Sequence, residues 1–250
     1  MSRLARGSTS SPRAKRNPFA NLAHKTAFDI DGGFKLTNQL VSMARPARVS
    51  PEVILAAAAL EFAERGFGGA RVDRIATRAK VNKAMIYYHF KSKQRLYRAL
   101  LRRMFSLAAE RLQAIAAAHG TPADKVDRAI AGMAAFIQEH TFFPAIMLRE
   151  VAEGGAHLDR ETLQTLAAVP RAVAGIVQQG VASGDFRPVD PVFAYFSMLA
   201  PIVFYLAGAP IRKEISHLHV IDMRALSLAA FVQQAQESAR RSLARDARHP

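Results

Sequence analysis

No stretch of this chain alternates apolar and polar residues between turn signals, so nothing in it asks for a β-sheet. What recurs is the punctuation of helices. Ser50 stands where it can cap a helix, with Pro51 suited to the first helical position and Glu52 to the positive end. Ile54, Ala57, Ala58 and Phe62 then fall on one face, and Gly66 supplies a stop. The spacing predicts a short second helix over Val72–Ala79, a break at Lys80–Asn82, and a third short helix over Lys83–His89. Ser92 can cap a fourth that runs without a breaker to Ala118, a rod of about 39 Å at 1.5 Å per residue. Further starts lie at Thr121-Pro122-Ala123-Asp124, Asp159 and Asp190-Pro191. Pro170 kinks or divides the helix that follows Asp159. The helix from Pro191 stops near Gly208–Pro210, and a last one is expected over Ile221–Leu243 with Met223, Leu226, Ala230 and Phe231 on one face. The expected fold is all-α.

Charge divides the chain. The formal net charge is +15, of which residues 1–42 carry +5, residues 43–105 carry +10, and residues 106–250 carry none. A polyanion would therefore engage the first 105 residues and leave the rest to another task. Nucleic acid and an anionic membrane surface both satisfy the electrostatics. Cysteine is absent, which excludes disulfide scaffolds, thiol nucleophiles and thiolate metal sites. Residues 1–45 read as a basic, disordered extension broken by Ser8–Pro12, Asn17–Pro18 and Gly32–Gly33. Met43 is expected to be the true start, the rival reading being a basic arm that adds phosphate contacts.

Two short helices separated by a tight break form a helix-turn-helix, in which one helix lies in the major groove and the other braces it. Ile75, Ala76, Ala79, Val81, Ile86 and Phe90 are spaced to make the small core between them. That leaves Lys83, Ala84, Met85, Tyr87, Tyr88 and His89 facing outward. Tyrosines beside lysines suit DNA, since the hydroxyl bonds phosphate while the ring packs on sugar or a thymine methyl.

Ile54–Leu101 resembles the TetR/AcrR family of transcriptional regulators. The resemblance rests on Ala57-Ala58, Phe62, Gly66-Phe67, Ile75-Ala76, Val81 and above all Ile86-Tyr87-Tyr88-His89-Phe90-Lys91-Ser92-Lys93. It implies a DNA-binding domain over residues 46–95, with the helix-turn-helix at about 71–90, and a helical effector-binding and dimerisation domain over 96–245. It also implies base-facing Lys83, Ala84 and Met85, phosphate contacts at Tyr87, His89 and Lys93, and a Tyr88 within reach of either base edge or backbone. Arg71 stands where the family usually has a capping Thr or Ser; arginine binds phosphate but cannot cap in the same way. Lys80 stands where the family often has Gly. The partners implied are a palindromic operator, a small-molecule effector and a second copy of the chain, with no membrane. The protein is then a cytoplasmic, nucleoid-associated repressor and not an enzyme.

Other features carry less. Pro191–Ile211 is uncharged and long enough to span a bilayer, which keeps a membrane-anchored regulator as an alternative, but Pro201 interrupts it. The same apolar helix suits a dimer core, paired with the last helix. An activator or an architectural DNA-binding protein of the same fold is a further alternative. His217-Leu218-His219 lacks a third ligand and reads as two loop histidines. Glu150, Glu153, His157 and Asp159 accompany no nucleophile or phosphate loop and read as a solvated helix end. Phe136, Phe143, Met147, Glu150 and Phe196 are the candidates for an effector pocket, against the plainer reading of the aromatic ones as core. No metal or cofactor is expected.

Overall fold

The computed structural model describes residues 50–219, 221, 223 and 226–245. The expected N-terminal extension, with its proposed start at Met43, lies outside the described residues. Ten helices and no strand are found among the described residues: α1 (Pro51–Gly69), α2 (Val72–Ala79), α3 (Lys83–Phe90), α4 (Lys93–Ala117), α5 (Pro122–Glu139), α6 (Phe143–Ala152), α7 (Arg160–Ser183), α8 (Pro191–Ala207), α9 (Ala209–His217) and α10 (Leu228–Leu243).

The helix starts have the local chemistry read from the sequence. Ser50 accepts from the Glu52 N–H at 3.2 Å. Thr121 and Asp124 form a reciprocal capping box at 3.1 Å in each direction. Asp159 accepts from the Thr162 N–H at 3.0 Å, and Asp190 from those of Val192 and Phe193. Gly66 breaks α1 with a left-handed φ of 67° that a side chain disfavours.

Three expectations need correction. Pro170 does not divide α7: that helix packs along α4 and buries Val169, Ala172, Val173, Ile176 and Val177, which outweighs the one backbone bond proline removes. The last helix begins at Leu228, not Ile221, because Ser227 caps it by accepting from the Ala230 N–H at 3.1 Å. α8 stops at Ala207 with Gly208 as its cap, as expected, but His217 is not a loop histidine. Proline fits the first turn of a helix, so α9 follows at once, and His217 is its last residue. The apolar 191–211 run is thereby bent by 55° between α8 and α9, and no single described helix is long and apolar enough to cross a membrane.

One continuous core runs from α1 into the bundle. Ile54, Phe62, Ile75, Ile86, Leu96 and Leu101 fill the N-terminal head, while Phe105, Leu112, Ile130, Ile137, Ile176 and Val177 fill the bundle. The 25-residue α4 belongs to both, extending about 37 Å. α6 also touches the head: Nη1 of Arg149 donates to the carbonyls of Phe62 (3.2 Å) and Ala63, just before the Gly66 break.

Candidate nucleic-acid interface

The second helix starts without a cap of its own. Arg71 occupies the cap position in an extended conformation and makes no side-chain capping bond. Glu61 of α1 replaces that cap, its Oε1 accepting from the Arg71 N–H at 3.2 Å. Glu61 is 1% exposed, and its charge is balanced by Arg74 at 3.5 Å and Arg78 at 3.9 Å. The turn then passes through Lys80 in the left-handed region (φ 53°, ψ 43°), a conformation that costs a residue with a Cβ about 1 kcal/mol. Asn82 caps α3, accepting from the Ala84 N–H at 2.9 Å.

This frame presents one face of α3. Ile75, Ala76, Ala79 and Ile86 are buried, and Val81 and Phe90 pack against them, as the spacing predicts. Tyr88 is 70% exposed and Tyr87 41%. Lys83 and Ala84 are exposed, Met85 half-buried, and Arg71 exposed at the entry of α2.

Three of the expected contact side chains are engaged or shielded within the protein. Nζ of Lys83 lies 2.8 Å from Asp73 Oδ1, and hydrogen bonding to that carboxylate raises its pKa. Lys83 must release Asp73 to reach a base. His89 is half-buried, with Nε2 shielded from solvent and without a hydrogen-bond partner among the described residues, so that nitrogen does not face outward. Nζ of Lys93 donates to the carbonyls of Phe67 (2.8 Å) and Ala70 (3.2 Å), with Gly68 at 3.5 Å, and sits 4.6 Å from the Phe67 ring centroid. An ammonium has three donors, and these are directed at the end of α1.

The five effector-pocket candidates do not converge. Phe136 and Phe143 are buried core, their rings 5.6 Å apart edge to face. Met147 is half-buried on α6. Phe196 is 58% exposed on α8. Glu150 faces the head, and here the expectation of a solvated helix end fails, for it is 1% exposed. Its Oε1 accepts from the Tyr97 hydroxyl at 2.7 Å and lies 2.9 Å from His157 Nδ1. Burial first, then the Glu150 hydrogen bond, pushes the Tyr97 pKa up, so this hydroxyl remains a donor. The His157 ring packs on Phe67 with centroids 4.1 Å apart. Asp159 pairs instead with Arg98 at 3.3 Å and Arg102 at 3.7 Å.

Comparison with known proteins agrees with the geometry. Residues 54–100 match the bacterial regulatory proteins of the tetR family, and residues 122–243 match the tetracyclin repressor-like C-terminal domain. The chain is 31% identical over 188 residues to the HTH-type transcriptional repressor NicS of Pseudomonas putida, covering 72% of this chain and 85% of that one. The chain belongs to the TetR family of transcriptional regulators. It is also 26% identical to the regulator RutR of Escherichia coli, over 69% of this chain and 85% of RutR. Among solved structures, FadR of Bacillus subtilis, in complex with stearoyl-CoA, shares the fold at a TM-score of 0.59 and 18% identity, covering 78% of this chain and all of that one. A HlyIIR variant shares it at 0.59 and 21%, covering 81% of this chain and all of that one.

In this TetR-family head two functional parts went unread in the sequence. Glu61 falls three residues after Ala58 and seven after Ile54, on the apolar face of α1; an acid in such a stripe is the sign of a buried, partnered charge. Asn82, two residues before Ala84, is a standard helix cap. The family consists of transcriptional regulators.

Proposed function

We propose that this TetR-family regulator represses transcription by binding a near-palindromic operator as a homodimer, one α3 entering the major groove from each subunit, and that a small molecule taken up by the C-terminal bundle weakens that binding. The observation that carries the reading is the outward face of α3, where Lys83, Ala84, Tyr87 and Tyr88 are exposed around the buried anchor Ile86. Lys83, freed from Asp73, donates to guanine, and Ala84 and Met85 offer apolar contact to thymine methyls. Tyr87 and Arg71 bond phosphates, and Tyr88 reaches a base edge or the backbone. Repression follows the naming of NicS, a repressor. The ligand in FadR, stearoyl-CoA, supports a small-molecule effector for this fold. Action on DNA in the nucleoid places the protein in the cytoplasm.

The dimer is supported by α8, whose Phe193, Phe196 and Phe204 are 76%, 58% and 74% exposed. A contiguous apolar face of this kind needs a partner surface, and we assign it to α8 and α10 of a second copy.

Selection of bound sequences from a random duplex pool, followed by footprinting, tests the reading. A single palindrome with half-sites about 34–36 Å apart is expected, with affinity falling steeply as salt rises. Uniform coverage of any duplex, or a strictly monomeric protein, would overturn it. Small molecules are then screened for release, and crosslinking the dimer at the DNA-competent separation should abolish their effect.

A further inference from the structure

Glu150 carries more acceptor capacity than its protein partners use. Oε1 is engaged by Tyr97 and His157, but Oε2 is shielded from solvent and has no partner among the described residues. A buried carboxylate oxygen in that setting calls for a donor or a cation. Glu153, one helical turn's distance away, lies 3.3 Å from the same His157 Nδ1 through its Oε2. A neutral imidazole offers Nδ1 as either one N–H or one lone pair. As a donor it serves one of the two carboxylates well, and as a lone pair it repels both. A cation at their meeting point satisfies all three groups together.

The distances fit that solution. Two donors about 2.1 Å from one ion stand roughly 3 Å apart at a right angle and roughly 3.4 Å apart at the tetrahedral angle. His157 Nδ1 stands 2.9 Å from Glu150 Oε1 and 3.3 Å from Glu153 Oε2, and one ligand atom from each of the three residues lies within 4.8 Å of the other two. We propose that Glu150, Glu153 and His157 bind a divalent first-row transition-metal ion at the junction between the DNA-binding head and the bundle.

Two carboxylates, one imidazole and no thiolate select ions of the Mn²⁺ to Zn²⁺ range over softer ones. The outer shell is in place. The Tyr97 hydroxyl orients the Glu150 carboxylate, Arg98 Nε holds the His157 carbonyl at 2.8 Å, and the Phe67 ring fixes the imidazole plane. Glu153 is 47% exposed and His157 18%, which opens an entry path. A bound ion would join α6 and the loop after it to the seat made by Phe67 of α1 and Tyr97 of α4.

The proposal stands apart from the operator reading, and its test uses no DNA. Full-length protein stripped with chelator is titrated with Mn²⁺, followed by electron paramagnetic resonance, and then with Zn²⁺ as competitor. One Mn²⁺ per chain, displaced by Zn²⁺, is expected. Glu153→Gln and His157→Gln should each weaken binding by at least about tenfold, while Glu214→Gln, at the exposed His217 pair, should leave it unchanged. Because Glu153 is half exposed, its variant keeps the test decisive even if the His157 variant fails to fold. Absence of saturable binding by either ion at about 1 mM, or binding that survives Glu153→Gln, would overturn the proposal.

Discussion

The head and the last helices of the bundle both expose aromatic rings, and the neighbours of those rings give them opposite uses. Tyr87 and Tyr88 carry hydroxyls and have Lys83 and Lys91 on the same short helix or at its end, with Nζ of Lys91 5.5 Å from the Tyr88 ring centroid, in the first 105 residues, which hold the whole excess of positive charge. Phe193, Phe196 and Phe204 have no polar atom, and α8 contains no charged residue. The first surface suits a polyanion, and the second suits another apolar surface. Exposure of an aromatic ring alone would not have separated them.

The largest effect that could break this contrast is at α8. Replacing Phe196 and Phe204 together by Ser should remove about 3–6 kcal/mol from association and give monomers in sedimentation at micromolar concentration; unchanged mass would show that the face does not pair. On the head, Tyr88→Ala should weaken operator binding by about 1–3 kcal/mol without changing the oligomer, and Tyr87→Phe by about 1 kcal/mol, both read by fluorescence anisotropy. Lys93→Ala sharpens the contrast within the head. Its bonds to the end of α1 predict a loss of about 1–2 kcal/mol of folding stability with an unchanged salt slope. A slope lowered by about one, at full stability, would return Lys93 to phosphate binding. Smallest is Lys80→Gly, which should stabilise the fold by up to about 1 kcal/mol by relieving the left-handed turn, measured by thermal denaturation.

The head was legible because its elements are short and locally determined. Ser50, Lys80 and Ser92 act within a few residues of themselves, and the spacing of Ile75, Ala76, Ala79 and Ile86 fixes an inner face. What escaped the sequence depends on distant partners. The buried state of Glu150 rests on Tyr97, 53 residues away, and the inward turn of Lys93 on carbonyls 23–26 residues away. The effector candidates scattered for a related reason. α8 is apolar nearly all round, so its composition could not say that Phe196 faces outward while Met198 and Ile202 face inward. Glu61 was hidden by its charge, which reads as solvated until Arg74, Arg78 and the Arg71 N–H are brought beside it.

The Arg149 guanidinium, ending on the carbonyls of Phe62 and Ala63, gives the bundle a grip on the reading head that does not pass through α4. With Lys93 grasping the same helix from the other side of its Gly66 break, α1 is gripped fore and aft. A sideways shift of α6 would therefore pull on α1 ahead of Gly66 through Arg149, a second tie between bundle and head besides α4.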